Sequence, residues 1–179
     1  MGVVYSGVDG KLRRQVAIKT ILTNQLLAPD MAAEYSRRFE GEALSAARLN
    51  HPNIVTVYDF GEEGDIAYLV MEFIRGQELK HYFDRKEYFS LSEAVRLMCE
   101  LLEALDHAHA NGIIHRDVKP ANVMIDARGR VKLTDFGVAR ISDAQEGTRA
   151  GTRVGTLSYM APEQIQGLPF NATVDVFSA

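Results

Sequence analysis

The stretch from His115 to Asn122 constrains this chain more than any other. His115-Arg116-Asp117-Val118-Lys119-Pro120-Ala121-Asn122 sets an acid, two cations and a carboxamide close together. Val123-Met124-Ile125 then reads as a strand, and after a turn comes Asp135-Phe136-Gly137. As chemistry, this set suits movement of a phosphoryl group. Asp117 would accept the proton of an attacking hydroxyl, and Lys119 would neutralise charge on the transferred group. Asn122 and Asp135 would offer the hard oxygen ligands that Mg²⁺ takes. The plain structural alternative is a polar loop between two strands, and the rest of the chain tests it.

The run resembles the catalytic loop and metal-binding turn of protein kinases, H-R-D-x-K-P-x-N followed by D-F-G. An isolated Asp-Phe-Gly recurs by chance, whereas a full catalytic-loop match with Asp-Phe-Gly downstream is specific. The resemblance covers residues 1–179 and implies an α+β fold of two lobes. Residues 1–74 would form an N-lobe of antiparallel sheet plus helix with the hinge, and 75–179 part of a mainly helical C-lobe, truncated at both ends. ATP and Mg²⁺ are the implied cofactors.

Composition excludes several other classes. With 179 residues, 46% of them hydrophobic and 25% charged, the chain is long and apolar enough to bury a core and is not disordered. A net charge of −4 gives no reason to expect nucleic acid or an anionic membrane as partner. The single cysteine, Cys99, falls on an apolar helix face and reads as a buried, inert thiol in a reducing compartment. No apolar run approaches the ~20 residues that span a bilayer, and no charged-then-apolar leader is present, which predicts a cytoplasmic location.

In chain order, Val3, Val4, Tyr5 and Val8 lead to the turn signal Asp9-Gly10, and Gln15 to Ile21 resumes a strand. Alternation puts Ala17 and Lys19 on one face. Val16-Ala17-Ile18-Lys19 resembles the kinase strand whose lysine holds the α- and β-phosphates of ATP. Gly2 and Val4 resemble the tail of the glycine-rich loop, so the first strand and most of that loop would be missing. From Asp30 to about Leu49 the pattern is helical, with Phe39, Ala43, Ala46 and Ala47 at core spacing, ending at Asn50-His51-Pro52. The resemblance asks for one glutamate pairing with Lys19. Glu42 is that residue by register, and Glu40, about 200° around the helix, would face away.

Strands are predicted over Ile54–Phe60 and Ile66–Phe73, joined by a turn at Gly61 to Asp65, the second strand buried on both faces. The resemblance makes Met71 the gatekeeper beside adenine and gives the backbone of Glu72 and Ile74 the adenine edge. A short helix is expected from Arg75 to about Tyr82. Ser90-Leu91-Ser92-Glu93 is a capping-box signature opening a core helix marked by Ala94, Leu97, Met98, Leu101, Leu102, Leu105 and Ala108, and closing at Asn111-Gly112. His107 and His109, two positions apart, do not share a face and make a poor metal pair. Ile113-Ile114 reads as a short strand delivering the loop. Val123-Met124-Ile125 and Val131-Lys132-Leu133 form a hairpin, and Met124 would join Val4, Ala17 and Met71 around the purine.

The polar stretch from Val138 to Gly155 lies between Asp135-Phe136-Gly137 and Ala161-Pro162-Glu163, bounds that resemble a kinase activation segment. In the family Arg116 binds a phosphate on this loop, so Thr148 and Thr152 are the expected phosphorylation sites. Thr156 would link Asp117 and Lys119. Lys119 and Gly155-Thr156 resemble serine/threonine rather than tyrosine kinases, and Asn50-His51-Pro52-Asn53-Ile54-Val55 with Tyr159-Met160-Ala161-Pro162-Glu163-Gln164 resembles the bacterial ones. Asp175, in the first turn of a helix cut short, would brace the catalytic-loop backbone. The implied activity is transfer of the ATP γ-phosphoryl group to Ser or Thr hydroxyls of a protein substrate, with a dimer of the parent protein serving phosphorylation in trans. The rivals are an ATP-binding pseudokinase scaffold, which usually lacks the residues matching Lys19, Asp117 or Asp135, a small-molecule phosphotransferase of kinase-like fold, which generally lacks the Ala161-Pro162-Glu163 element, and an inactive fragment.

Overall fold

This computed structural model describes residues 3–22, 29–64, 66–136 and 157–179. Gly2, Thr148, Thr152 and Thr156 lie outside the described residues. The first sheet contains β1 (Val3–Asp9), β2 (Arg14–Leu22), β3 (Val57–Glu63) and β4 (Ile66–Glu72), all antiparallel, in the order β1-β2-β4-β3. Helix α1 (Pro29–Ala47) lies against it. Phe39 and Ala43 of α1 meet Val55, Ala67, Leu69 and Met71 in one apolar cluster.

A second sheet joins β5 (Gly76–Glu78), β6 (Val123–Asp126) and β7 (Val131–Leu133) in that order. Around it stand α2 (Leu79–Asp84) and the long helix α3 (Leu91–Ala110). A 3₁₀ turn at Pro120–Asn122 precedes β6, and α4 (Pro162–Ile165) and α5 (Thr173–Ser178) follow. This is the expected α+β architecture. No helix among the described residues is long and apolar enough to cross a membrane.

Helix α3 forms where its caps say it should. Ser90 Oγ accepts from the Glu93 amide at 3.3 Å while the Ser90 amide donates to Glu93 Oε2 at 3.0 Å, satisfying donors at both positions. At the far end Gly112, at φ 73°, lets Ile113 N donate back to Ala108 O at 2.9 Å, a left-handed stop. Leu97, Leu101, Ala104, Leu105 and Ala108 point into the core with Val118, Val123, Val131 and Leu133.

Several expectations need correction. Cys99 is exposed, because it sits about 200° around α3 from the buried Leu97 and Leu101 stripe. Ala94, Met98 and Leu102 are exposed on the same helix, as is Ala47 on α1. Strand β3 starts at Val57, since Ile54 is buried and makes a parallel bridge to Leu133 instead. It also runs on to Glu63, pairing with Ile66, so the expected turn at Gly61 is strand and the chain reverses later, where Gly64 takes φ 58°. Strand β4 buries only the face of Ala67, Leu69 and Met71, because α1 covers one side of an antiparallel sheet. Gly76 and Gln77 belong to a strand rather than a helix. A Cβ on Gly76 would lie 2.1 Å from Ile125 O, so only glycine permits this pairing with β6. Ile113 and Ile114 form no strand, Ile113 being tied to the end of α3.

The segment between α1 and β3 connects the two sheets. Val55 N donates to Leu133 O at 2.9 Å and Leu133 N to Asn53 O at 2.8 Å. The buried Asn53 side chain donates to Val131 O at 2.9 Å and Glu100 Oε2 at 3.3 Å, and the same Glu100 oxygen accepts from Val131 N at 2.7 Å. A lysine–glutamate pair, Lys132 Nζ to Glu72 Oε2 at 2.9 Å, adds a charged link between β7 and the end of β4.

The deepest titratable group is His115, fully buried, and its burial holds it well below the ordinary histidine range. Truncating Leu105 to alanine should destabilise the fold by about 2–5 kcal/mol, measured by urea unfolding. The same change at half-exposed Leu102 should be markedly milder. Below pH ~6.5 the unfolded chain gains a proton at residue 115 that the native state refuses. Stability is therefore full above that pH and falls as the pH drops through it towards the native value, with a slope approaching about 1.4 kcal/mol per unit. His51, also lowered, by burial and then by neighbouring His107, acts in the same sense. Equal unfolding midpoints at about pH 7.5 and 5.5 would contradict this.

Candidate active site

The loop from His115 to Asn122 is shaped by its own sequence at one end and by distant residues at the other. Pro120 opens the 3₁₀ turn, where its missing N–H is no loss, and Lys119 before it is extended as a residue preceding proline prefers. Asn122 N donates to Lys119 O at 2.9 Å and closes the turn. Upstream, Arg116 takes φ 71°, a left-handed conformation rare outside glycine. Asp175 holds it there. Its Oδ2 accepts from His115 N and its Oδ1 from Arg116 N, both at 2.7 Å, with the carboxylate 1% exposed. His109 Nε2 donates to Asp175 Oδ2 at 2.7 Å.

His115 acts as an internal strut. A carbonyl only accepts, so its Nε2 donates to Thr134 O at 2.7 Å, which leaves Nδ1 to accept from Asp117 N at 3.2 Å. The imidazole is thus the neutral Nε2–H form, in keeping with its lowered basicity. Phe136 meets its ring edge-on with centroids 4.7 Å apart.

The polar side chains converge around Asp117. Its Oδ2 pairs with Lys119 Nζ at 2.7 Å and accepts from Asn122 Nδ2 at 3.0 Å, and the same Nδ2 donates to Asp117 O at 2.8 Å. Asn122 is then oriented with its nitrogen engaged and its Oδ1 left as the acceptor. Thr134 N and Oγ1 both donate to Asn122 O, at 2.9 and 3.2 Å, tying the loop to the approach of Asp135. Asp135 takes φ 66° and pairs through Oδ1 with Lys19 Nζ at 2.8 Å. Non-glycine residues in this region store strain and gather at functional sites.

Lys19 therefore differs from expectation. Its ion pair among the described residues is with Asp135, not Glu42. The left-handed turn at Asp135 brings that carboxylate to the ammonium. Glu42 sits half-buried on α1, with Glu40 exposed.

Ala17, opposite Met71 in the β2–β4 register, and Val4, opposite Lys19 in β1–β2, share the sheet, while Met124 is half-buried on β6. Met71 is buried and, with Ala46, Val57, Leu69, Asp135 and Phe136, lines a cavity of about 20 Å³. Glu72 N donates to Thr56 O at 2.8 Å, so of its backbone groups only the carbonyl remains for a ligand. Ile74 follows, half-buried. The Arg116 guanidinium lies 5.6 Å from the Phe170 ring centroid.

Sequence reasoning missed His109, Glu100, Lys132 and Gln164. The two histidines serve separate purposes: His107 stacks on His51 at 5.1 Å, and His109 reaches Asp175. A histidine in the last turn of a core helix, just before the loop, was the available signal. Glu100, Lys132 and Gln164 carry no local signal, since their partners are 31 to 60 residues away.

Comparison with known proteins agrees with this geometry. The protein kinase domain family matches residues 1–179. The chain is 42% identical over 183 residues to the serine/threonine-protein kinase PknA of Mycobacterium tuberculosis (strain H37Rv), covering 99% of this chain and 42% of that protein. It is 43% identical over 169 residues to the serine/threonine-protein kinase PrkC of Bacillus subtilis (strain 168), covering 93% of this chain and 25% of that protein. The chain thus spans less than half the length of these curated relatives. By its matched length, its motif residues and the loop they build, the chain belongs to the protein kinase domain family.

Proposed function

We propose that this chain is the catalytic part of a serine/threonine protein kinase, residues 1–74 serving as N-lobe and hinge and 75–179 as part of the C-lobe. The observation that carries the reading is Asp117, whose carboxylate is held by Lys119 and Asn122 on a strained loop. A base fixed in this way can orient a hydroxyl and take its proton. Lys119, on the same carboxylate oxygen, is placed to offset negative charge on a group passing from ATP to that hydroxyl.

The residues present fit Mg²⁺ and ATP. Asn122 Oδ1 and the Asp135 carboxylate are hard oxygen donors of the kind Mg²⁺ takes, and Lys19 supplies a cation for phosphate oxygens. Bound Mg-ATP would supply the γ-phosphoryl group and neutralise its charge. Val4, Ala17, Met71 and Met124 would enclose the adenine, with the Glu72 carbonyl and the Ile74 backbone at its edge and Gly2 near the phosphates. Glu42 would exchange with Asp135 as the partner of Lys19 when nucleotide binds. The rest is positioning.

The acceptor is a Ser or Thr hydroxyl of a protein, a reading supported by Lys119 in the catalytic loop and by the names of the relatives. Regulation by phosphate on Thr148 or Thr152, read by Arg116, belongs to the same proposal, as do a contact of Thr156 with Asp117 and Lys119, trans-phosphorylation within a dimer and residence in the cytoplasm.

In the full-length protein, Asp117→Asn should lower Mg-ATP-dependent phosphate incorporation by about 10²–10⁴-fold while nucleotide affinity, measured by calorimetry, changes little. Full ATP binding by the wild type with no transfer would point instead to a pseudokinase scaffold. Site-mapping mass spectrometry should find phosphate on Thr148 or Thr152 in the wild type and not in Asp117→Asn. Replacing both threonines by alanine should lower the rate several-fold, and an unchanged rate would remove the regulatory part of the reading.

A further inference from the structure

Gln164 belongs to α4, which follows Ala161, and its side chain reaches in two directions. Its Oε1 accepts from Ala161 N at 3.1 Å within its own turn. Its Nε2 donates to Arg116 O at 3.0 Å, across 48 residues of chain, and the bond is partly buried. The acceptor is the carbonyl of the peptide unit that leads into Asp117.

That peptide unit is planar, so fixing its oxygen and its N–H fixes the plane and the direction in which Asp117 leaves it. The oxygen is held by Gln164, and the N–H of the same unit, that of Asp117, donates to His115 Nδ1 at 3.2 Å. The unit before it is held through Arg116 N by Asp175. Arg116 sits at φ 71°, and a side-chain-bearing residue stays there only while its surroundings over-determine it. Of the three restraints, two come from the buried His115 and Asp175, and the third from α4.

We infer that Gln164 is a positioning residue for Asp117, a clamp through which the segment 157–166 controls the attitude of the aspartate. The inference rests on the kinase reading above. Ser178 Oγ lies 2.6 Å from Tyr159 O and 2.8 Å from Val174 O, its single proton shared between them, and links the same segment to α5, which also carries Asp175. Both holds on the Arg116 backbone thus come from one connected body.

Two variants of the full-length protein separate the clamp from mere capping. Gln164→Ala removes both bonds, while Gln164→Glu keeps an acceptor for Ala161 N and sets a carboxylate oxygen against Arg116 O. The clamp predicts that both variants lose about tenfold in kcat, the rate equivalent of one hydrogen bond, with KM for ATP and thermal midpoint near wild type. Amide exchange in the 113–118 peptide should rise in both and stay unchanged in 66–72. A cap alone predicts that Gln164→Glu matches wild type and that any loss in Gln164→Ala follows its thermal midpoint; that result would overturn the inference. Should the wild type transfer no phosphate, the kinase reading fails, and the exchange measurement still decides the clamp. Should Gln164→Ala not fold, Gln164→Glu decides alone.

Discussion

The Asp175 carboxylate is the interaction on which the candidate site depends. It is almost wholly removed from water, yet each oxygen accepts a short hydrogen bond from a loop amide, and one also accepts from His109. Hydrogen bonds to an ionised acceptor are roughly twice as strong as neutral ones, and a buried charge is tolerated only when so paired. The same contacts hold the Arg116 backbone in a conformation it would otherwise leave. One carboxylate therefore shapes the loop, and the shape of the loop aims Asp117.

A second set of polar groups joins the two sheets. Glu100 on α3 accepts from both Asn53 and Val131, and Lys132 reaches Glu72 at the end of β4. These bonds add to the apolar contact between the two clusters, which share Val57. Directional bonds fix relative position where area burial alone would not. Lys19 in the first sheet and Asp135 after the second meet at 2.8 Å as a consequence. The electrostatic centre of the site thus rests on an arrangement of backbone and buried polar groups some distance from it.

Much of this was legible in the chain itself. Capping chemistry marked both ends of α3, alternation and a turn signal marked the β1–β2 pair, an apolar run marked β4, and the residues from His115 to Asn122 form a polar cluster on Asp117. The errors share a cause. Cys99 looks apolar-faced in a helix with leucines all round it, and only the neighbours of α3 decide which leucines are buried. Ile54 has strand composition, but its partner is Leu133 in another sheet. Gly76 reads as a helix start until the closeness of Ile125 O is known.

The sequence by itself determined the identity and order of the reactive groups, because residue type sets charge, donor count and ligand hardness, and it determined the elements whose caps and periodicity are local. Tertiary structure alone decided which groups meet. His109 with Asp175, Glu100 with Asn53, Lys132 with Glu72 and Gln164 with the Arg116 carbonyl are pairings between residues 47 to 66 positions apart. A hydrogen bond acts over about 3 Å and carries no trace along the chain, so these contacts exist only once the fold has brought the partners together.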